Sequence, residues 1–296
     1  MDVVTSPASS SRIVFIDVDG TILEHGSVIA PSTVAAIRTA RANGHLVYLC
    51  TGRSEGDIHP DVRAIGFDGA ITNGGAFATR GDELLFAHTM PRADVERLIG
   101  YFEERGIHYF LQSNDSVYAS PGVLQMMAEF LVQRAQRRAE DLKHIGADDG
   151  DLLDSVLREA SDRYVPVADA DLDAVAKAVF ISSRSDSVDR AQDELGERFH
   201  VIPGSMPLPG GSNGEISLRG TNKGAAIVEV LGLLGLDAAD AVGIGDSWND
   251  VEMFEVCGTA VAMAGADPQL KSLADHVTTG VLDDGVRNAL VALALA

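Results

Sequence analysis

The run Ile13-Val14-Phe15-Ile16-Asp17-Val18-Asp19-Gly20-Thr21 constrains this chain more than any other stretch. Four successive apolar residues, mostly β-branched or aromatic, describe a strand buried on both faces, as in a parallel sheet. The strand runs directly into two carboxylates. In an open parallel sheet the reactive crevice lies beyond the carboxyl ends of the strands, which puts Asp17 at that crevice. Gly20 lets the chain turn at once, so Asp19 can lean over the crevice from the loop. Metal-assisted phosphoryl chemistry would give both carboxylates work, with Asp17 as nucleophile. Taken alone, an Asp-Xaa-Asp-Gly turn that merely ends a strand is an equally good reading. A calcium loop fits less well, because the later acidic ligand is missing. The other segments decide.

Two more strand ends repeat the pattern. After a helix opened by Pro31-Ser32-Thr33 and stopped at Asn43-Gly44, the apolar stretch His45 to Cys50 delivers Thr51-Gly52-Arg53 to the same sheet edge. The βαβ order places Thr51 beside Asp17 through a right-handed crossover, and a hydroxyl with backbone N–H groups at that corner suits a phosphate. Ser54 to Ile65 reads as a further helix and Phe67 to Thr72 as a third strand ending at Asn73-Gly74-Gly75. Far downstream, Ala241 to Gly245 is again a buried strand. It ends at Asp246 and leads through Ser247-Trp248-Asn249-Asp250 into a helix. Just before it, Thr221-Asn222-Lys223-Gly224 opens a strongly apolar helix, with Thr221 expected as its N-cap. Lys223 then lies in the first turn, where a cation is unfavourable unless an anion is close.

Between these segments the rhythm changes. Ala76 to Met90 reads as a hairpin turned at Gly81-Asp82. Beyond it come a helix from Pro91 to Arg105, short strands at Ile107 to Gln112 and Ser116 to Ala119, and a long helix from Pro121 to about Leu142. Gly146 to Asp154 is a loop or helix start, and Lys177 to Ser182, Val188 to Phe199 and His200 to Ile202 read as strand, helix and strand. This α+β block is an insertion, and Gly214 to Leu218 is expected to return the chain to the first domain. The basic cluster Arg134, Arg137 and Arg138 is read as a solvated helix face. The expected organisation is a Rossmann-like parallel-sheet core from 1 to 83 and from 209 to 296, interrupted by an α+β cap domain from 84 to 208.

Composition narrows the function. A formal charge of −21 over 296 residues argues against nonspecific nucleic-acid binding and repels a free phosphate ester at long range. An anionic substrate therefore needs local cations, such as a divalent metal, a lysine and helix N-termini. Two cysteines, Cys50 and Cys257, have no zinc-like spacing and are expected to pack as small apolar residues in a reducing compartment. The polar stretch from Met1 to Ser11 lacks the pattern of a signal peptide, and no stretch is long enough to span a bilayer, so the expectation is a cytoplasmic protein without a membrane partner. Its oligomeric state, monomer or dimer, is left open.

Together Asp17-Val18-Asp19-Gly20-Thr21, Thr51-Gly52-Arg53, Lys223 and Gly245-Asp246-Ser247-Trp248-Asn249-Asp250 resemble the four motifs of the haloacid dehalogenase superfamily. More narrowly the chain resembles the Cof-type sugar-phosphate phosphatases, which carry their cap between the second and third motifs. The tail Ala260-Val261-Ala262-Met263, Lys271, Ala274-Asp275, Val277-Thr278 and Asp284-Gly285-Val286 is similar to that group's ending, whereas the cap matches only in size and α+β order. The resemblance implies a Mg²⁺-dependent phosphatase acting on a phosphorylated small molecule. Asp17 would form an aspartyl-phosphate, and Asp19 would protonate the leaving oxygen and then activate water. The resemblance implies Mg²⁺ held by the Asp17 carboxylate, the Asp19 backbone carbonyl and Asp246, with Asp250 supporting from behind. Thr51, the Gly52 amide, Lys223 and Asn249 would grip the phosphoryl oxygens. Trp248 is read first as a packing residue. The alternatives are a phosphomutase on the same core and a non-catalytic sensor of a phosphorylated ligand. Asn114, Tyr118 and Arg184 are the cap positions considered for specificity, each with structural work as the stronger reading.

Overall fold

The computed structural model describes residues 11–127, 164–204 and 210–296. The chain divides into two compact units: one takes in the chain through Arg53, then Asp57–His88 and Gly220–Ala296, the other Thr89–Arg219 together with Ser54–Gly56.

The first unit is built on an eight-stranded sheet. Its strands are β1 (Ile13–Ile16), β4 (Leu46–Cys50), β5 (Gly69–Thr72), β6 (Phe77–Arg80), β7 (Glu83–Ala87), β14 (Ala241–Gly245), β15 (Thr259–Ala262) and β16 (His276–Val277). The spatial order is β16-β15-β14-β1-β4-β5-β6-β7, parallel from β16 through β5 and closed by the antiparallel hairpin β6-β7. A small flap of two short strands, β2 (Leu23–Glu24) and β3 (Val28–Ile29), follows the Asp17 loop and has no counterpart in the sequence reading.

The pleat of β1 explains why all four of its residues are apolar. Val14 and Ile16 point into a cluster with Ile37 of α1 (Pro31–Ala42), Val62 of α2 (Pro60–Arg63) and Leu290 near the C-terminus. Ile13 and Phe15 point the other way, toward Ile227 and Val230. Each such side chain taken fully out of water contributes roughly 1.5–3 kcal/mol. The continuous apolar run is therefore the signature of a sheet covered on both faces.

Between β4 and β5 the expected helix over 54–65 is replaced by a 3₁₀ turn at Glu55–Asp57 and the four-residue α2. Pro60 lacks an N–H and its ring would clash with the carbonyl four residues earlier, so a helix can begin at Pro60 but not pass through it.

The second unit carries a six-stranded sheet in the order β10-β9-β8-β11-β13-β12. The strands are β8 (His108–Gln112), β9 (Val117–Ala119), β10 (Val165–Pro166), β11 (Lys177–Ser182), β12 (Phe199–Pro203) and β13 (Ser212–Leu218). Leu98 and Phe102 from α3 (Arg92–Glu104), with Val188, Ala191 and Leu195 from α4 (Ser187–Leu195), cover one face over Tyr109, Leu111, Phe180 and Ile216. Within this unit the Gly56 amide donates to the Asn114 carbonyl.

The segment Gly214 to Leu218, expected to rejoin the core, is instead the end of β13, paired antiparallel with both β11 and β12. Its alternation of Asn213, Glu215 and Ser217 with Gly214, Ile216 and Leu218 is the period of a strand with one apolar face, not of a central parallel strand. The expected helix over 121–142 falls mostly outside the described residues. The loop expected at 146–154 and the cluster Arg134, Arg137 and Arg138 fall wholly outside them.

The remaining helices belong to the first unit. They are α5 (Lys223–Leu234), α6 (Val251–Val256), α7 (Pro268–Leu273) and α8 (Gly285–Ala292). Asn222, not Thr221, caps α5, its side chain accepting from the Ala225 amide at 2.8 Å. Gly235 closes that helix in the left-handed region, at φ 66°.

Candidate active site

Parity along β1 sends Asp17 to the same side as Ile13 and Phe15, the face covered by α5. There it meets Lys223, the first residue of α5. Lys223 Nζ donates to Asp17 Oδ1 and to Asp250 Oδ1, each at 2.6 Å. All three groups are buried, the lysine 1% exposed. A lysine at a helix N-terminus is thus stabilised by two carboxylates, which is the anionic neighbour that the helix dipole demands.

Asp250 has both oxygens committed. Its Oδ1 accepts from Lys223, and its Oδ2 accepts from the amides of Asp246 and Ser247 at 3.0 and 3.1 Å. Those amide contacts fold the loop after β14 into a 3₁₀ turn over Trp248–Asp250 and aim Asp246 toward Asp17. Oxygen atoms of Asp17, Asp246 and Asp250 lie within 4.8 Å of one another. The approach of the first loop is equally tight. Gly20 has φ +80°, and a Cβ there would lie 2.0 Å from Asp246 Oδ2, so only glycine fits. Thr21 Oγ1 reaches Asp246 Oδ1 at 3.5 Å.

Crowding three carboxylates around one lysine has an electrostatic cost. Burial pushes the Asp17 carboxyl well above its usual 3.8; Lys223 opposes that, and Asp250 and Asp246 add to it. Burial, then the charges of Asp250 and Asp19, push Asp246 to about 7 against the opposing pull of Lys223. For Lys223, burial works downward but Asp17 and Asp250 win, so it stays firmly protonated. Cys50, beneath the site at the end of β4, is held as a neutral thiol chiefly by burial. An oxygen-rich cluster with a surplus of negative charge is the donor set of a hard divalent cation. Asp17 and Asp246 fit Mg²⁺, whereas Asp250, its oxygens already used, supports them from behind.

The corner expected to take the phosphate lies one strand over, at the end of β4. Thr51 is buried, and its Oγ1 accepts from the Arg53 amide at 3.1 Å, leaving the hydroxyl proton to donate. Gly52 lies between these two residues. Asn249 Oδ1 accepts from Ser247 Oγ at 2.8 Å, which leaves its NH₂ group as the donor. Asn73, buried with φ 51°, donates its amide to the Arg53 carbonyl at 2.8 Å.

Asp19 stands apart from the carboxylate cluster. Both of its oxygens are taken by Arg53, Nε to Oδ2 and Nη2 to Oδ1, each at 2.7 Å. Arg53 closes the motif Thr51-Gly52-Arg53, and no role for it follows from the motif alone. Its one signal in the sequence is its place immediately after Thr51-Gly52. Trp248, expected to pack, is 42% exposed. In the second unit Tyr118 is buried, Arg184 pairs with Asp186 of its own loop at 2.7 Å, and Asn114 donates to Glu55 at 3.2 Å.

The profile of the haloacid dehalogenase-like hydrolases matches residues 14–290. The 5-amino-6-(5-phospho-D-ribitylamino)uracil phosphatase YwtE of Bacillus subtilis is 26% identical, over 93% of this chain and 95% of its own. The pyridoxal phosphate phosphatase YbhA of Escherichia coli is also 26% identical, over 90% and 93%. Among solved structures, a haloacid dehalogenase-like hydrolase from B. subtilis superposes with a TM-score of 0.77 at 21% identity, covering 95% of this chain and 99% of that one. A HAD subclass IIB sugar phosphatase superposes with a TM-score of 0.73 at 19% identity, covering 97% and 100%. At these identities the structures speak for the fold.

Proposed function

The chain belongs to the haloacid dehalogenase-like hydrolases, and from that premise we propose that it hydrolyses a sugar phosphate or similar phosphomonoester with Mg²⁺ through an aspartyl-phosphate. At the coarser level it is a phosphatase of small phosphorylated metabolites.

The observation that carries the reading is the meeting of Asp17, Lys223, Asp246 and Asp250, drawn from both ends of the chain, at one point on a parallel sheet's carboxyl edge. Asp17 Oδ1 is tied to Lys223, leaving Oδ2 to attack phosphorus. The Asp17–phosphorus bond forms as the bond to the leaving oxygen breaks. Lys223, the Thr51 hydroxyl, the Gly52 amide and the Asn249 amide donate to the phosphoryl oxygens as charge develops. Asp19 delivers a proton to the leaving oxygen, then withdraws one from the water that cleaves the acyl phosphate. Mg²⁺, held by Asp17, the Asp19 carbonyl and Asp246, would supply charge neutralisation and orient the phosphoryl group.

The test is Asp17→Asn, assayed with Mg²⁺ against a panel of phosphorylated sugars, nucleotides and vitamin phosphates. Loss of at least about 10⁴-fold in turnover is expected with the fold intact by circular dichroism. Turnover near wild type would remove Asp17 as nucleophile.

A further inference from the structure

We propose that Arg53 is the positioning residue of the acid–base carboxylate, a fork fixed to the core that sets where Asp19 points. This rests on Asp19 being the proton donor in the reading above.

Asp19 has a side chain 49% exposed. A carboxylate on so short and open a stem samples several rotamers unless something holds it. The partner is held far more firmly than an ordinary surface arginine. Arg53 is 19% exposed along its side chain, and its Nη1 donates to the Asp57 carbonyl at 2.9 Å. At its other end, its amide is fixed by Thr51 Oγ1 at 3.1 Å and its carbonyl by the Asn73 amide at 2.8 Å. An arginine held at its backbone and again at one guanidinium nitrogen presents two parallel N–H groups in one direction, and Asp19 takes both at 2.7 Å. Exposed ion pairs usually contribute little, but planar two-point geometry on an anchored arginine is the arrangement that does orient its partner.

The contact also solves a problem that the cluster creates. Asp19 lies close enough for its charge to act on Asp246. A freely rotating Asp19 would be drawn toward any cation held by Asp17 and Asp246, where its side chain would serve as one more ligand and not as a proton donor. Arg53 competes for it. When Asp19 takes up a proton from water, the N–H···O bond to the protonated oxygen opens, and the other keeps the carboxyl aligned. The proton passes from Asp19 to the leaving oxygen as the P–O bond breaks.

A residue acting through a proton donor matters in proportion to how badly the leaving group needs a proton. The experiment compares kcat/KM for p-nitrophenyl phosphate, whose anion leaves unaided, with kcat/KM for the alkyl phosphate that the wild-type protein hydrolyses fastest. Arg53→Ala is expected to cost about 100-fold on the alkyl ester and under about tenfold on the aryl ester. Arg53→Lys keeps the charge without the fork and is expected to retain KM while losing kcat on the alkyl ester. In Asp19→Asn the additional Arg53→Ala change is expected to cost nothing further on either ester. Equal losses on both esters, or losses that multiply with those of Asp19→Asn, would show Arg53 gripping the phosphate itself and overturn the proposal while the phosphatase reading stands. Unchanged rates in Arg53→Ala would overturn it as well. If Asp19→Asn leaves the alkyl ester's rate intact, the proton-donor reading fails first and takes this proposal with it.

Discussion

Each unit buries a lysine, and the two lysines do different work. Lys177 in β11 is 3% exposed and reaches across the sheet to Glu215 of β13 at 2.8 Å. Lys223 is 1% exposed and lies between Asp17 and Asp250, with Asp246 in the same cluster. The first arrangement is a cross-strand ion pair in the interior of a sheet that also supplies apolar contacts. The second surrounds a cation with more carboxylates than it can neutralise, at strand ends where the backbone turns away. A buried lysine alone does not mark a site; a surplus of opposite charge around it does.

Three substitutions and a titration test that contrast. The largest expected effect after Asp17→Asn is Lys223→Met, which should lower kcat/KM by about 10²–10³ at saturating Mg²⁺ by removing a donor to the transferring phosphoryl group. Its stability should fall more at pH 8 than at pH 5, since at the lower pH the abandoned carboxylates can protonate. Lys177→Met should instead destabilise the protein by about 2 kcal/mol in urea unfolding, leaving Glu215 without that partner, and keep turnover of a small aryl phosphate largely intact. If Lys177→Met were the variant that killed turnover, the contrast would be broken.

The smallest effect is on pH. A carboxyl whose folded value lies above 3.8 holds a proton that the unfolded chain has released. Without metal, stability therefore falls as pH rises from about 4 to the Asp246 value of about 7. Mg²⁺ binds the ionised carboxylates, so the gain in Tm on adding Mg²⁺ over EDTA should grow across that window and then level off. A gain that stays constant from pH 5 to pH 8 would contradict the assignment of Asp17 and Asp246 as metal ligands.

The sequence carried the first unit's chemistry further than its architecture. Strands flanked on both sides by helices must be apolar throughout, so β1, β4 and β14 were legible as runs, and the residues after them as the crevice. Lys223 was legible as a mismatch with its helix dipole. Other features depend on partners that no local pattern names. Gly214 to Leu218 is ambiguous between the two sheets in sequence, because a short apolar stretch does not say whether its neighbours run parallel or antiparallel. The stretch from Ser54 to Ile65 has a helical pattern, but the helix starts only at Pro60. Asn222 and Thr221 are both good caps, and the choice between them rests on which side chain reaches the Ala225 amide. Arg53 had no visible role because its partner, Asp19, is brought to it only by the pairing of β1 with β4.

Strand β1 lies between β4 and β14, and the residues that register it on the second side, Ala241 to Ile244, come more than two hundred positions later in the chain. During synthesis Asp17, the proposed nucleophile, therefore emerges before its partners and waits. One flank of its strand stays unpaired, its lysine is unmade, and Asp246 has yet to be translated. An unfinished chain holds the proposed nucleophile without Lys223 or Asp246, so the proposed site is assembled only when the last third of the polypeptide closes the sheet.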